Sequence, residues 1–494
     1  MPPTTVPPGR PRSTVATWLV VFAACAGQFL VVLDVSVVNV ALPSMRSGLG
    51  LSESGLQWVV NAYSIAFAGF MLLGGRAGDL FGRKRMFLVG LALFTLASLG
   101  GGLAQDGWQL LVARAVQGLG AAVLAPSTLT ILTSAVSEGP ARTRAIATWS
   151  AVGAGGGAAG GLVGGVLTDG LSWRWVLLIN VPVGALVLAG AARWVAESRT
   201  GGPRRLDLPG AVLVTGGAAV LAYGIVQTEE AGWTSPRTLV PLGAGLLLVL
   251  SFLLVEARTR VPLMPLKLFR LRGVSVANAA MFLCGGAMMC MWFFMTLYAQ
   301  NVLGYSPLRA GLALMPSSLA VVAGSKLAPR LMRRLGTRTV AAAGAAIAAA
   351  GFAWQSTMGA HGAYLTAIML PGVVMMLGAG LSSTPLAALA TSGAERGDAG
   401  LASGLINTSR TLGGALGLAV LSTVAATRTG GATGPAALAS GYALAFRWGA
   451  LILVGAVALM LAWMPRGAPS GTAPGEPRAA GPAADSGAAR DALS

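Results

Sequence analysis

Charge is what this sequence most conspicuously lacks. Only 10% of its 494 residues are Asp, Glu, Lys or Arg, against roughly 25% in soluble domains. Hydrophobic residues make up 55% and the mean hydropathy is +0.72. Water cannot solvate such a surface, so the solvent of the folded chain is largely lipid. Aromatic residues are scarce at 6%, whereas glycine is abundant with 70 copies. Small residues let membrane helices approach closely where no hydrophobic force drives them together. The length would suggest three soluble domains, a prior that does not hold for a helix bundle in a bilayer. Three cysteines, Cys25, Cys284 and Cys290, all lie inside apolar runs. They have no disulfide or metal-ligand spacing and read as small packed hydrophobes. The one histidine, His361, falls in a loop and reads as incidental. No Walker motif, catalytic triad or metal cluster is present, which argues against an enzyme and against nucleotide hydrolysis as an energy source. No cofactor is expected.

Acid is rarer than base, 16 residues against 34, for a net charge of +18. The basic residues sit in short turns between apolar runs and never as one patch, so nucleic acid is not an expected partner. A membrane helix needs about 20 apolar residues. That ruler gives fourteen spans near 18–42, 56–75, 86–104, 108–134, 145–168, 174–194, 208–227, 238–255, 273–302, 308–329, 339–357, 363–390, 400–425 and 441–463. The first is too long, and too closely followed by others, for a cleaved signal peptide. Residues 1–15 and 466–494, rich in Pro, Gly and Ala, read as disordered tails.

Positive charge collects in cytoplasmic loops. With the N-terminus inside, 26 of the 34 basic residues are cytoplasmic. Arg46, Arg174, Arg237, Arg309, Arg428 and Arg447 remain outside, and Arg114 and Arg410 lie within spans. One missed span would invert every later loop, so both termini are expected in the cytoplasm. The turn Gly75-Arg-Ala-Gly-Asp79-Leu-Phe-Gly82-Arg83-Lys84-Arg85 has a degraded echo in Arg330-Leu-Met-Arg-Arg-Leu-Gly336-Thr-Arg338. Aligning Gly82 with Gly336 makes span nine the counterpart of span one. The expected fold is therefore an all-α polytopic membrane protein, 14 helices arranged 6+2+6 with parallel halves. The expected units are an N-terminal bundle (16–200), two inserted helices (201–260) and a C-terminal bundle (261–465).

Asp34 is the one carboxylate deep inside a span. Its burial costs roughly 2.5–3.5 kcal/mol at a helix centre on insertion scales. Burial favours a neutral carboxyl and a nearby cation an ionised one, so an acid in alternating surroundings takes and releases protons. Asp34 lies ~24 Å from the cytoplasmic end of span one, and Arg114 ~9 Å from the outer end of span four. In a core ~30 Å thick these depths nearly coincide, and the two can pair directly or through Gln117. The pair is either the proton-coupling site or a static structural bridge. Arg410, in span thirteen, either attracts an anionic group or holds Asn407 and nearby carbonyls. Gly153, Gly157, Gly161 and Gly165 form one ridge of span five, with Gly156, Gly160 and Gly164 beside it. Each glycine costs ~1 kcal/mol against alanine, so the ridge calls for close helix packing, as a gate or as a fixed contact. Its partial match to a dinucleotide-binding fingerprint lacks the preceding strand and is rejected. Gly75, Asp79, Gly82, Arg83, Lys84 and Arg85 form either a latch between helix ends or ordinary positive-inside anchoring. Span nine is dense in Met288, Met289, Trp292, Phe293 and Tyr298, side chains that adapt to varied apolar ligands. With Asn39, Asn407 and Arg410 they are the candidate substrate cavity.

These segments together resemble the fourteen-helix drug:proton antiporters of the major facilitator superfamily, the EmrB/QacA type, over nearly the whole chain. Leu33-Asp34-Val-Ser-Val-Val-Asn39-Val-Ala-Leu-Pro43 is similar to the first-helix motif of that branch, and Gly75 to Arg85 to the superfamily's loop signature. Arg114-Ala-Val-Gln117-Gly118-Leu-Gly120 resembles the fourth-helix motif, whose Arg is implicated in proton transfer. Gly156 to Gly165, followed by Ser172-Trp-Arg-Trp-Val-Leu-Leu-Ile-Asn-Val-Pro182, resembles the fifth-helix antiporter motif and its continuation. That motif normally has Gly-Pro where this chain has Gly160-Gly161, so a fixed kink is absent. The resemblance implies a monomeric exporter in the cell membrane, with protons and a lipophilic drug-like molecule as its partners. A nutrient or osmolyte importer is the second reading, and a membrane-embedded sensor or enzyme the third. With no second buried acid to hold a dication, the expected substrates are neutral, zwitterionic or monocationic.

Overall fold

The computed structural model describes residues 14–198, 206–259, 262–392 and 399–465. Most of both expected tails, and the boundary expected near residue 200, lie outside them. Fourteen long helices follow one another: α1 (Thr14–Leu49), α2 (Glu53–Phe81), α3 (Arg83–Gly102), α4 (Gly107–Ala135), α5 (Pro140–Gly170) and α6 (Trp175–Trp194). Two more, α7 (Leu208–Ala231) and α8 (Pro236–Arg258), pair with each other. The last six are α9 (Arg272–Val302), α10 (Pro307–Leu335), α11 (Thr337–Gln355), α12 (Leu365–Thr391), α13 (Ala399–Thr429) and α14 (Pro435–Trp463). Thirteen are long and apolar enough to cross a bilayer on their own composition. The exception, α11, is alanine-rich and carries Arg338 in its first turn. It is held instead by burial between α12 and α14.

The helices run several residues past most of the expected spans, because the hydrophobic ruler measures the lipid core and helices continue into the interface. Turns between them follow from local chemistry. Ser52 Oγ accepts the Gly55 N–H (3.0 Å) to start α2, and Ser306 Oγ accepts the Arg309 N–H (3.3 Å) to start α10. Gly82 and Gly336, aligned from sequence, both take a positive φ (111° and 80°), each ending one helix and starting the next. Only glycine adopts such a φ without strain.

The internal repeat is visible in the packing. Helix pairs α2–α4, α3–α4 and α1–α5 in the first half recur as α10–α12, α11–α12 and α9–α13 in the second. The halves meet through α5 against α10 and α2 against α13, and the repeat exchanges these two seams. The α7–α8 hairpin lies over the α2–α13 seam, where Ala218, Ala222 and Val226 pack on Ile65, Ala415 and Ala419. The leucines of α8, among them Leu246, Leu247 and Leu254, face outward, as a lipid-bathed surface requires.

Backbone proximity explains much of the glycine. A methyl group on Gly344 of α11 would lie 2.6 Å from the Ser382 nitrogen and 2.8 Å from the Gly378 oxygen of α12. At Gly100 on α3 it would meet nothing within 4 Å. Gly344→Ala should therefore lose about 1–3 kcal/mol through overpacking. Gly100→Ala should be neutral or gain up to about 1 kcal/mol from helix propensity. Thermal unfolding of the two purified variants in detergent compares them directly.

Candidate functional site

Asp34 on α1 is completely buried, and so are the groups around it. Arg114 Nη1 on α4 donates to Asp34 Oδ2 at 2.7 Å and to Gln117 Oε1 at 2.6 Å. Gln117 Nε2 donates to Asp34 Oδ1 at 2.7 Å and to Ser98 Oγ of α3 at 2.7 Å. Arg114 Nε donates to the Val59 carbonyl of α2 (3.1 Å), and the guanidinium carbon stands 4.4 Å from the centroid of the Tyr63 ring. The depths reckoned from sequence thus place Asp34 and Arg114 together, with both the direct contact and the Gln117 contact present. The sequence reading missed a third donor. Asn180 Nδ2 on α6 reaches Asp34 Oδ1 at 2.9 Å and Ser98 Oγ at 3.3 Å. Pro182, two residues on, has no N–H to give the Leu178 carbonyl, and α6 is irregular just there. That irregularity seats Asn180 against α1. A lone amide two residues before a proline in an apolar span was the available signal.

This arrangement stabilises an ionised Asp34 by one ion pair and two amide donors. Removing one partner of a buried pair typically costs 3–5 kcal/mol, because the other charge is left stranded. The network therefore has few stable states: closed around the charge, or rearranged around a neutral acid.

Beside the network lies a cavity of about 1290 Å³ between the two halves. Tyr63 is in its wall and separates it from the Asp34–Arg114 pair. Met288, Met289, Trp292, Asn407 and Arg410 line it, as do Gly153 and Gly157. Asn39, Phe293 and Tyr298 do not. Asn39 donates to its own helix at Val35 O (2.9 Å). Phe293 packs edge-on against Phe294 (5.2 Å between centroids), and Tyr298 donates to Gly359 O (2.9 Å). Phe293 faces the closed end beside Arg46, Glu53 and Leu56 of the first half, and Tyr298 turns to the 357–364 segment, both one helical face away from Met288 and Trp292.

The cavity runs from mid-depth to the end of the molecule that carries the 75–85 turn, whose Gly75, Arg76 and Asp79 line it. The other end is shut. Gln300 Nε2 of α9 donates to Val40 O of α1 (2.8 Å), and the Leu308 N–H to Asp169 Oδ2 (3.0 Å). The glycine ridge of α5 serves two partners. Gly153, Gly156, Gly157, Gly160 and Gly164 face α1, where Ser36 Oγ donates to Gly157 O (3.0 Å). Gly161 and Gly165 instead meet α10 across the seam, and a methyl on Gly161 would lie 3.0 Å from the Gly311 oxygen. The residue that replaces the motif proline is thus at the closed contact between halves.

At the 75–85 turn, Arg83 Nη2 pairs with Asp79 Oδ1 at 3.2 Å. Lys84 Nζ donates to Ala192 O (2.6 Å), and Glu197 accepts the Lys84 and Arg85 backbone N–H groups (3.1 Å each). Glu197, another residue the sequence reading passed over, caps the start of α3 and complements its dipole. These bonds tie the turn to the end of α6 within one half.

Asn180→Leu leaves Asp34 Oδ1 with Gln117 alone, and should destabilise the protein by about 1.5–3 kcal/mol, the usual worth of a hydrogen bond to a charged group. Asn39→Leu, which removes only a bond within α1, should cost less than about 1.5 kcal/mol. Detergent thermal unfolding of the two variants gives the ranking.

Comparison with known proteins agrees with this architecture. The chain is 51% identical over 442 residues to the cephamycin export protein of Amycolatopsis lactamdurans, covering 89% of this chain and 90% of that one. It is 39% identical over 460 residues to a puromycin resistance protein of Streptomyces alboniger, covering 90% and 91%. The solved POT family transporter PepTSo superposes with a TM-score of 0.67 at 15% identity, over 91% of this chain and 99% of that one, a likeness of fold. Residues 24–418 match the sequence profile of the Major Facilitator Superfamily, and the chain belongs to that family.

Proposed function

We propose that the protein is a proton-coupled exporter of drug-like molecules, working by alternating access across the cytoplasmic membrane. The observation that carries this reading is the buried Asp34–Arg114–Gln117–Asn180 network standing one aromatic ring away from a large inter-half cavity. The relatives named for cephamycin export and puromycin resistance support export of antibiotic-like compounds.

The mechanism follows from the charge arithmetic of the site. With the basic turns and both termini in the cytoplasm, the structure is the inward-open state: its cavity reaches the 75–85 end and its opposite seam is closed. A proton arriving at Asp34 removes the charge that holds Arg114 Nη1, and the guanidinium then rests on Gln117 Oε1, Val59 O and the Tyr63 face. Since α1 carries Asp34 and also packs on the glycine ridge of α5, a change at Asp34 reaches the Gly161–Gly311 seam through one helix. The seam opens with substrate bound and Asp34 ionised, exposing the cavity to the outside, and closes again once a proton from outside has reached Asp34, so that proton and substrate cross in opposite directions. Each proton returning inward releases about 2.3 kcal/mol per 100 mV of membrane potential, in addition to the pH term. The cavity's wall of Met288, Met289 and Trp292 suits varied apolar bodies better than a sugar or osmolyte, which favours export over nutrient uptake.

Everted membrane vesicles test the reading. An imposed inside-acid gradient should drive substrate accumulation by the wild-type protein. Asp34→Asn, which keeps the shape and removes the titrating proton, should abolish gradient-driven accumulation while leaving gradient-independent exchange measurable. Full gradient-driven accumulation by the variant would remove Asp34 from the coupling path.

A further inference from the structure

The cavity's charge is lopsided. Among its lining residues Arg76, Lys326 and Arg410 are basic and Asp79 alone is acidic. Asp79 already pairs with Arg83, so it does not neutralise the interior. Arg76 and Lys326 lie toward the mouth, where water and positive-inside anchoring account for them. Arg410 is different. It stands eleven residues into α13, ~17 Å along the helix at 1.5 Å per residue, opposite the methionines of α9. Its side chain is exposed within the cavity.

Its partners are few. Nη2 donates to Asn407 Oδ1 at 3.4 Å, a long and weak bond. Among the described residues no carboxylate lies within ion-pair distance of it. Arg114 shows what a fully matched arginine looks like in this protein, with a carboxylate at 2.7 Å, an amide oxygen, a main-chain carbonyl and an aromatic face. An intramembrane arginine is costly and ordinarily finds an anionic or carbonyl partner. Nor is the Arg410 side chain needed for packing. It is the backbone of residue 410 that makes the close approach to Gly285 of α9, and this would persist with another side chain.

From this unmatched guanidinium in a methionine-walled cavity we infer that the transported substrate is an amphipathic organic acid, its carboxylate bound by Arg410 and its apolar body laid against Met288, Met289 and Trp292. The planar fork of an arginine meets a carboxylate through two parallel N–H···O bonds, and low-dielectric walls strengthen the contact. The field of Arg76 and Lys326 at the mouth draws anions inward and discourages cations. This revises the sequence-based expectation of neutral to cationic substrates, which weighed the absence of a second acid without knowing which base faced the cavity. The inference rests on the export reading for the word substrate, while its test depends only on binding.

Three probes share one apolar body: 1-naphthaleneacetate, 1-naphthaleneacetamide and 1-naphthylmethylammonium. Binding to the purified full-length protein is measured by isothermal titration in detergent at neutral pH, with no gradient. The acid should bind at least about tenfold more tightly than the amine, with the amide between them. Arg410→Gln should bring the acid down to the amide's affinity while leaving the amide within about twofold, which also shows that the cavity is intact. Arg410→Lys should keep most of the preference. Equal or tighter binding of the amine, or an acid preference that survives Arg410→Gln, would overturn the assignment. Because no proton gradient enters the measurement, a failure here is separable from a failure of Asp34 coupling.

Discussion

A single negative charge held in the low-dielectric interior sets the terms for the first half of this molecule. Asp34 cannot remain ionised there without donors on several sides, and the fold supplies them from two helices, Arg114 and Gln117 from α4 and Asn180 from α6, while Ser98 of α3 accepts from both amides. Four helices are thereby fixed relative to one carboxylate. Protonation removes the reason for that arrangement, so the same contacts that stabilise the bundle also make it responsive. Among the described residues few other charges are buried: Arg114 itself, and Asp207 with Glu256 at the base of the α7–α8 hairpin.

In the proposed mechanism, glycine makes the coupling mechanical. On α5 the ridge is shared between α1, which carries Asp34, and α10, which belongs to the other half. Contacts at Gly161–Gly311 and Gly165–Leu308 bring backbone against backbone, with no side chains to interdigitate and lock. Such a seam is close when shut and has little to disentangle when it parts. The absence of the motif proline fits this position, since a ring at residue 161 would be directed at the Gly311 carbonyl. The opposite seam, α2 with α13, is bridged by the α7–α8 hairpin. The two seams that the internal repeat makes equivalent are therefore not equally encumbered.

Much of this was legible in the sequence because lipid imposes simple rules. Twenty-residue apolar runs gave the helix count. The depth of Asp34 and Arg114 along their helices placed them side by side. The repeat could be aligned on Gly82 and Gly336 because a positive φ permits little else. What failed to show were the faces of helices that are apolar all round. Phe293 and Tyr298 looked like companions of Trp292, but α9 is buried on most sides and its pattern does not say which side is the cavity. Asn180 and Glu197 were overlooked because their partners are distant in sequence, respectively 146 residues from Asp34 and 113 from Lys84. The hairpin's seat over one seam depends on small residues of α2 and α13 that resemble those elsewhere.

The central claim is that Asp34 exchanges a proton in step with occupation of the cavity. The most direct measurement is proton release when 1-naphthaleneacetate, or an established antibiotic substrate, is added to purified protein in weakly buffered detergent at a pH low enough that Asp34 starts protonated. Wild type should release protons in proportion to the ligand bound, and Asp34→Asn should bind ligand with no release above buffer. Equal release from both proteins, or none from either at saturating ligand, would contradict the account.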